Sequence, residues 1–439
     1  MKYLLGILIL INLSFGQNIQ ELIKKADQGN AEAQLLVGVT YAFGEGVRQD
    51  DAEAVKWYKL SADQGNAEAQ WRLGEAYYFG EGVRQNYAEA VKWYKLSADQ
   101  GNAEAQWRLG LAYALGKGVR QDDAEAVKWF RLSADQGNAE AQLLVGVTYA
   151  FGEGVRQDDA EAVKWYKLSA DQGNAEAQWR LGEAYYFGEG VRQDYAESAK
   201  WYRLSADQGN AEAQWRLGVA YVLGEGVRQD DAEAVKWYKL SADQGNAEAQ
   251  LKLGAAYFLG KGVRQDYAEA VKWFRLSADQ GNAEAQLQLG IAYVLGKGVR
   301  QDYAESAKWY RLSADQGNAE AQWRLGVAYV LGEGVRQDDA EAVKWYKLSA
   351  DQGNAEAQLK LGAAYFLGKG VRQDYAEAVK WFRLSADQGN AEAQLQLGIA
   401  YVLGKGVRQD YAEAKEWFGK SCDNGNQTGC DFYRELNSP

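Results

Sequence analysis

The stretch "ADQGNAEAQ", residues 26–34, occurs eleven times, each copy starting 36 residues after the one before and the last starting at Ala386. The period between copies decides the fold. In residues 62–97, "ADQGNAEAQWRLGEAYYFGEGVRQNYAEAVKWYKLS", Asn66 stands before "AEAQ" as a helix N-cap, with Glu68 in the first turn where an acid is favoured. Gly80 occupies the position just past the end of that helix, where a left-handed residue is usual. "GEGVRQ" is a loop. Asn86, which is Asp in the other copies, caps a second helix that begins "YAEAVKW" and runs through Ser97 to stop at Gly101. Each repeat is two short helices with two tight connections, and strand-like alternation is absent from the sequence.

The second helix is apolar on more than one side: Ala88, Val91, Trp93, Tyr94, Leu96 and Ala98 cover most of it. In an isolated helical pair much of that surface would face water, whereas a stack buries it between the partner helix and the following repeat. Gly74, inside the first helix, costs roughly 1 kcal/mol relative to Ala. Its return in every copy predicts a close approach of two helices there.

Composition narrows the function. The chain has 439 residues, 47% of them apolar, and a formal charge of −12, so it is neither disordered nor suited to nucleic acid or an anionic membrane. It has no His, which removes the commonest general base and neutral metal ligand. Cys422 and Cys430 are its two cysteines, too few for a Cys/His zinc site; neither a metal nor a cofactor is expected. Residues 1–16 read as a signal peptide: Lys2, the apolar run "YLLGILILINLSF", and small Ser14 and Gly16 before a cleavage point. A periplasmic or secreted chain that is not membrane-embedded is therefore expected. Residues 17–25, with "NIQELIKK", supply an N-terminal capping helix, 26–421 the eleven repeats, and 422–439 a C-terminal cap.

The motifs "NAEAQ", "LG", "AY", "G-x-GV", "YAEAVKWY" and "ADQGN" closely resemble the Sel-one-like repeat family of tetratricopeptide-like α-solenoids. The resemblance covers residues 26–421 and implies an all-α, right-handed α/α superhelix (solenoid) of eleven 36-residue helix–turn–helix repeats. The family often carries Pro where this chain has Arg84 and its equivalents, which leaves the loop less rigid here. At the C-terminus "SCDNGNQTGC" replaces "SADQGNAEAQ", putting one Cys at the end of a helix and the other in the first turns of the next. A Cys422–Cys430 disulfide is expected in an exported protein. This corner resembles a secreted, cysteine-rich subgroup of the family.

The copies differ mainly on the first helix. The tenth repeat position is Trp71, Trp107, Trp179, Trp215 and Trp323, and Leu elsewhere; the fourteenth and seventeenth vary as well. These positions share one helix face by their i, i+4, i+7 spacing, while Leu73 (Val in two copies) and the invariant Gly74 and Tyr77 lie on another, the natural packing face. The variable face should be the more exposed. The resemblance implies that first helices line a concave groove, which would carry the five Trp, Tyr78 and Tyr186, with Arg72, Arg108, Arg180, Arg216 and Arg324 beside them. Aromatics and Arg are typical anchors of interaction surfaces, so a protein or peptide ligand, or a cell-envelope partner, held by a monomeric chain is expected. Glu68 and Arg72 form an i, i+4 pair.

Motifs for catalysis are missing. Asp51 and its equivalents in "QDDAEA" read as helix caps and solvated charge. "GEGV" is a turn without a dinucleotide-binding strand before it, and "FGKS" at 418–421 lacks the first glycine of a phosphate-binding loop. The expected function is an exported, non-enzymatic scaffold or adaptor. The alternative is β-lactamase or penicillin-binding activity, described for cysteine-rich relatives, although no Ser-x-x-Lys is present to carry it.

Overall fold

A computed structural model describes residues 19–437, so the expected leader at 1–16 lies outside the described residues. Those residues form 24 helices and no strand, in eleven tandem 36-residue repeats, an all-α solenoid architecture. None of the helices is long and apolar enough to cross a membrane. Contacts divide the chain into two compact units, Met1–Ala213 with Gly224–Arg228, and Gln214–Leu223 with Gln229–Pro439.

The repeat at 62–97 shows how local chemistry sets each boundary. Its first helix, Ala67–Phe79, begins where the Asn66 side chain accepts from the Ala69 N–H, and ends where left-handed Gly80 (φ 78°) donates to the Ala76 carbonyl. The second helix, Tyr87–Asp99, starts where Asn86 accepts from the N–H groups of Ala88 and Glu89. In the preceding copy Asp50 is the cap, accepting from the Glu53 N–H. Asp51, expected as a cap, is instead the first helical residue. Asp50 is extended (φ −153°, ψ 97°), and only such a residue can turn its side chain back onto the helix start.

The glycines explain the tightness. A Cβ on Gly74 would stand 2.5 Å from the Tyr94 ring, so the first helix lies directly on the aromatic of the second, as its recurrence predicted. Gly82, at φ +69°, would meet the Asp51 carbonyl oxygen at 2.1 Å. The loop of one repeat is thus pressed against the start of the previous second helix, where a side chain has no room.

Buried polar groups join the layers. Gln70 donates to the Ala62 carbonyl at 3.1 Å and accepts from Gln100 at 2.7 Å, while Ser97 donates to the Ala67 carbonyl at 2.6 Å. Equivalent bonds recur along the chain, for example Gln286 to Ala278 and Gln316 to Gln286. Each satisfies a buried amide or hydroxyl that would otherwise cost stability. At the N-terminal end, helix Ile19–Asp27 buries Leu22 and Ala26 against Ala33 and Val37. At the other end, Cys422 and Cys430 form a disulfide between helices Tyr411–Asp423 and Gln427–Glu435, and Phe432 and Leu436 pack on the Leu395, Ala414 and Phe418 cluster.

Candidate functional site

The invariant face of the first helix does pack: Leu73 and Gly74 are buried. The variable face is less exposed than its variability implied. Five of the six leucines at the tenth position, Leu35, Leu251, Leu287, Leu359 and Leu395, are buried, while Leu143 and the tryptophans Trp71, Trp107, Trp179, Trp215 and Trp323 are half-buried. A leucine is short enough to disappear against its own second helix, as Leu251 does beside Val271 and Phe274. An indole packs there too, Trp71 beside Val91 and Tyr94, but is too large to be covered. The tryptophans therefore contribute to the core as well as to the surface.

In the N-terminal unit, Trp71 and Trp107 line a cleft of about 560 Å³ that draws residues from the first helices of four consecutive repeats, from Phe43 to Glu140. A second cleft of about 460 Å³, farther along the same unit, is lined by Trp179 and Arg180 with Phe151 and Phe187. Tyr78 and Tyr186 do not line these clefts. Tyr78 packs edge-on against Phe79 and Tyr87, with Lys117 5.6 Å from its ring centre. Tyr186 packs edge-on against Phe187 and Tyr195.

The arginines are committed to internal contacts. Each guanidinium lies over the indole before it, at 5.0 Å for Arg72 on Trp71, 4.5 Å for Arg108 on Trp107 and 4.4 Å for Arg180 on Trp179. Arg72 pairs with Glu68 at 2.8 Å, the i, i+4 contact read from the sequence, and Arg180 pairs likewise with Glu176 at 3.1 Å. Arg108 instead reaches back 33 residues to Glu75 at 2.7 Å. Glu75 also accepts from the Tyr94 hydroxyl at 2.6 Å. Burial first, and then the Glu75 charge, pushes the Tyr94 phenol up, so it stays a donor. Tyr58, lining the same cleft, is pushed up to about 12 by burial against the pull of Arg72. The indole nitrogens of Trp71 and Trp107, and the Nε atoms of Arg72 and Arg108, are buried donors without a partner.

The cleft is acidic beyond its two arginines. Asp51, Glu68, Glu75, Glu81, Glu104 and Glu140 all line it. Glu68 and Glu75 are paired as described, whereas Asp51, Glu81, Glu104 and Glu140 have no lysine or arginine within ion-pair distance. Burial, then the neighbouring Glu140 charge, raises the Glu104 carboxyl above its ordinary value despite the pull of Arg108. The sequence reading took Asp51 and Glu68 for local helix-end charge and did not foresee that they share an acidic lining with Glu75, Glu81, Glu104 and Glu140. Glu68, Glu104 and Glu140 repeat at one position in every copy and resembled simple first-turn acids. Glu75, by contrast, stands where most copies are apolar, a signal that was available.

The C-terminal unit carries Trp215 under Arg216 at 4.4 Å and Trp323 under Arg324 at 5.0 Å, with Arg324 paired to Glu320 at 2.7 Å. Its loop lysines cover aromatics: Lys297 lies 4.8 Å from the Tyr267 ring centre and Lys405 4.9 Å from that of Tyr375.

Helix hairpins stacked in tandem, sharing one set of caps and differing in what the first helix displays, define an α-solenoid repeat protein. The chain belongs to the Sel1 repeat family: eleven consecutive segments, from 31–66 and 67–102 in steps of 36 to 391–426, match that repeat. This frame starts on the first helix, five residues later than the one used above. The crystal structure of c5321, a protective antigen of uropathogenic Escherichia coli strains displaying an SLR fold, is similar at 39% identity, covering 96% of this chain and 91% of its own, with a TM-score of 0.90. A Sel1 repeat protein from Oxalobacter formigenes is similar at 33% identity over 70% of this chain and 90% of its own, TM-score 0.56. Among curated protein sequences there is no significant match. Sel1 repeat proteins are generally protein-interaction scaffolds.

Proposed function

We propose that this chain is an exported, non-enzymatic scaffold that holds a protein or peptide partner on the faces of its first helices. The observation that carries this reading is the N-terminal cleft, where two half-buried tryptophans, each under its own arginine, line one opening that draws on the first helices of four consecutive repeats. Trp179 with Arg180, Trp215 with Arg216 and Trp323 with Arg324 repeat the same indole–guanidinium pair elsewhere, giving further anchors of one kind.

Export is supported by the leader pattern at 1–16 and by the Cys422–Cys430 disulfide, which fits an oxidising compartment. The description of the E. coli relative as a protective antigen agrees with a chain that leaves the cytoplasm. N-terminal sequencing of the mature protein checks this: export predicts a chain starting at Gln17, and an intact Met1 in the cell envelope fraction would refute the leader. No observation favours the hydrolase alternative. Binding is tested by capturing partners with the full mature chain and with W71L/W107L/W179L. Loss of capture by the folded variant is expected, because aromatic anchors are each worth 2 kcal/mol or more. Capture unchanged by the three substitutions would sink the assignment.

A further inference from the structure

The charge around the two cleft tryptophans specifies the partner more narrowly. The arginines beside them would ordinarily suit an acidic ligand, but Glu68 already holds Arg72 and Glu75 holds Arg108. What remains without a cationic partner is negative: Asp51, Glu81, Glu104 and Glu140 all line one opening, and Asp51 and Glu104 accept only neutral amide donors, from Gln49 and Asn138. Glu68, Glu104 and Glu140 come from three successive first helices, so the acidic lining runs along the stack. We propose that the N-terminal cleft binds an extended basic peptide segment, with lysine or arginine side chains against Glu104 and Glu140 and apolar side chains against Trp71 and Trp107. The proposal rests on the peptide-binding reading above and adds the chemistry of the peptide.

A further observation agrees with it. Burial first, and then the Glu140 charge, disfavours the ionised Glu104 despite the pull of Arg108, and a cation bound beside it would offset that penalty. An acidic peptide would bring more negative charge to four carboxylates that lack counter-ions. A neutral one would leave them as they are. Electrostatic complementarity of this kind selects partners and quickens association, with a marked dependence on salt.

The test uses the full mature chain and three end-blocked heptapeptides in which leucine alternates with lysine, glutamine or glutamate. The expected order of affinity is lysine first, by tenfold or more over glutamine, with glutamate weakest. E104Q/E140Q should weaken lysine-peptide binding at least tenfold, and W71L/W107L should weaken it too, with helix content checked by circular dichroism. E284Q/E356Q removes two charges at the same repeat position in the C-terminal unit and should change affinity less than twofold. If E284Q/E356Q weakens binding as much as E104Q/E140Q, the attraction is diffuse and the proposal fails. If the glutamine or glutamate peptide binds as well as the lysine peptide and still depends on Trp71 and Trp107, the basic chemistry is wrong while the peptide-binding face stands. If no peptide binds, or none responds to W71L/W107L, the face itself is misassigned and both fall.

Discussion

The two units are built from one scaffold and dressed differently. In the N-terminal unit the loop residue after the first helix is Glu45, Glu81, Glu153, Glu189 and Glu225, with Lys117 the exception; in the C-terminal unit it is Lys261, Lys297, Lys369 and Lys405, with Glu333 the exception. The tenth and eleventh positions vary within both units: Trp–Arg at 71, 107 and 179 with Leu–Leu at 35 and 143 in the first, and Trp–Arg at 215 and 323 with Leu–Lys or Leu–Gln at 251, 287, 359 and 395 in the second. The buried frame is the same in both. Gly110 lies on Phe130 as Gly362 lies on Phe382, and Gln106 and Gln358 make the same bond to the alanine eight residues back. Because each layer sees only its neighbours, the interface residues must stay matched while the display positions are free to change. A duplicated block adds reach at no cost to packing: residues 206–241 are identical to 314–349, and 242–277 to 350–385.

The largest expected effect tests whether the frame is the same. A Cβ on Gly110 would stand 2.5 Å from the Phe130 ring, and one on Gly362 would stand 2.6 Å from that of Phe382. Both rings are fully buried and cannot move aside. G110V and G362V should each cost about 3 kcal/mol, the upper range for overpacking, and by similar amounts. Denaturant unfolding, with hydrogen exchange to locate the loss, checks both. Costs differing by more than about 1.5 kcal/mol, a spread beyond that of tolerated core swaps, would mean the two units do not share one packing rule.

The ends of the chain give the next effect. The C-terminal unit closes on the Cys422–Cys430 bridge, while the N-terminal helix Ile19–Asp27 is held by Leu22 and Ala26 without a covalent tie. A bridge across eight residues constrains the unfolded chain modestly, by about 2 kcal/mol. C422S/C430S should therefore loosen exchange protection in Gln427–Glu435 and leave the N-terminal repeats unchanged. Protection lost along the whole array would show coupling far beyond nearest neighbours.

Much of this was legible in the sequence because it is local. Asn66, Gly80 and Asn86 act within a few residues, and the Gly74 recurrence announced a contact that a single copy would not have revealed. The site was less legible because its contacts cross repeats. Glu68 to Arg72 spans four residues and could be read; Arg108 to Glu75 spans 33, and nothing within one repeat fixes the register that joins them. Read alone, the arginines looked like free cations, whereas Arg72, Arg108, Arg180 and Arg324 are ion-paired. The tenth position looked like surface because it varies, yet Leu35 and Leu287 are core. Variation there reflects how far a side chain extends past a filled interface.

The smallest expected effect is the sharpest comparison, because one substitution at one repeat position should change sign between the units. In the N-terminal unit Glu104 sits above its ordinary value through burial and the Glu140 charge. Its ionised form is therefore disfavoured on folding, and folded protein binds the proton more tightly than unfolded protein. Stability then falls as pH rises from the unfolded value, about 4.3, through the folded one, and the full penalty is present above both. E104Q removes that penalty, so it should raise stability at pH 7 and make no difference near pH 3.5. In the C-terminal unit Glu320 holds Arg324 at 2.7 Å in a partly exposed pair, worth about 0–1 kcal/mol. E320Q should be neutral or slightly destabilising at pH 7. Melting curves of both variants at the two pH values decide it. If E104Q destabilises at pH 7 as E320Q does, Glu104 has a counter-ion after all, and the excess of negative charge on which the basic-peptide cleft depends is lost with it.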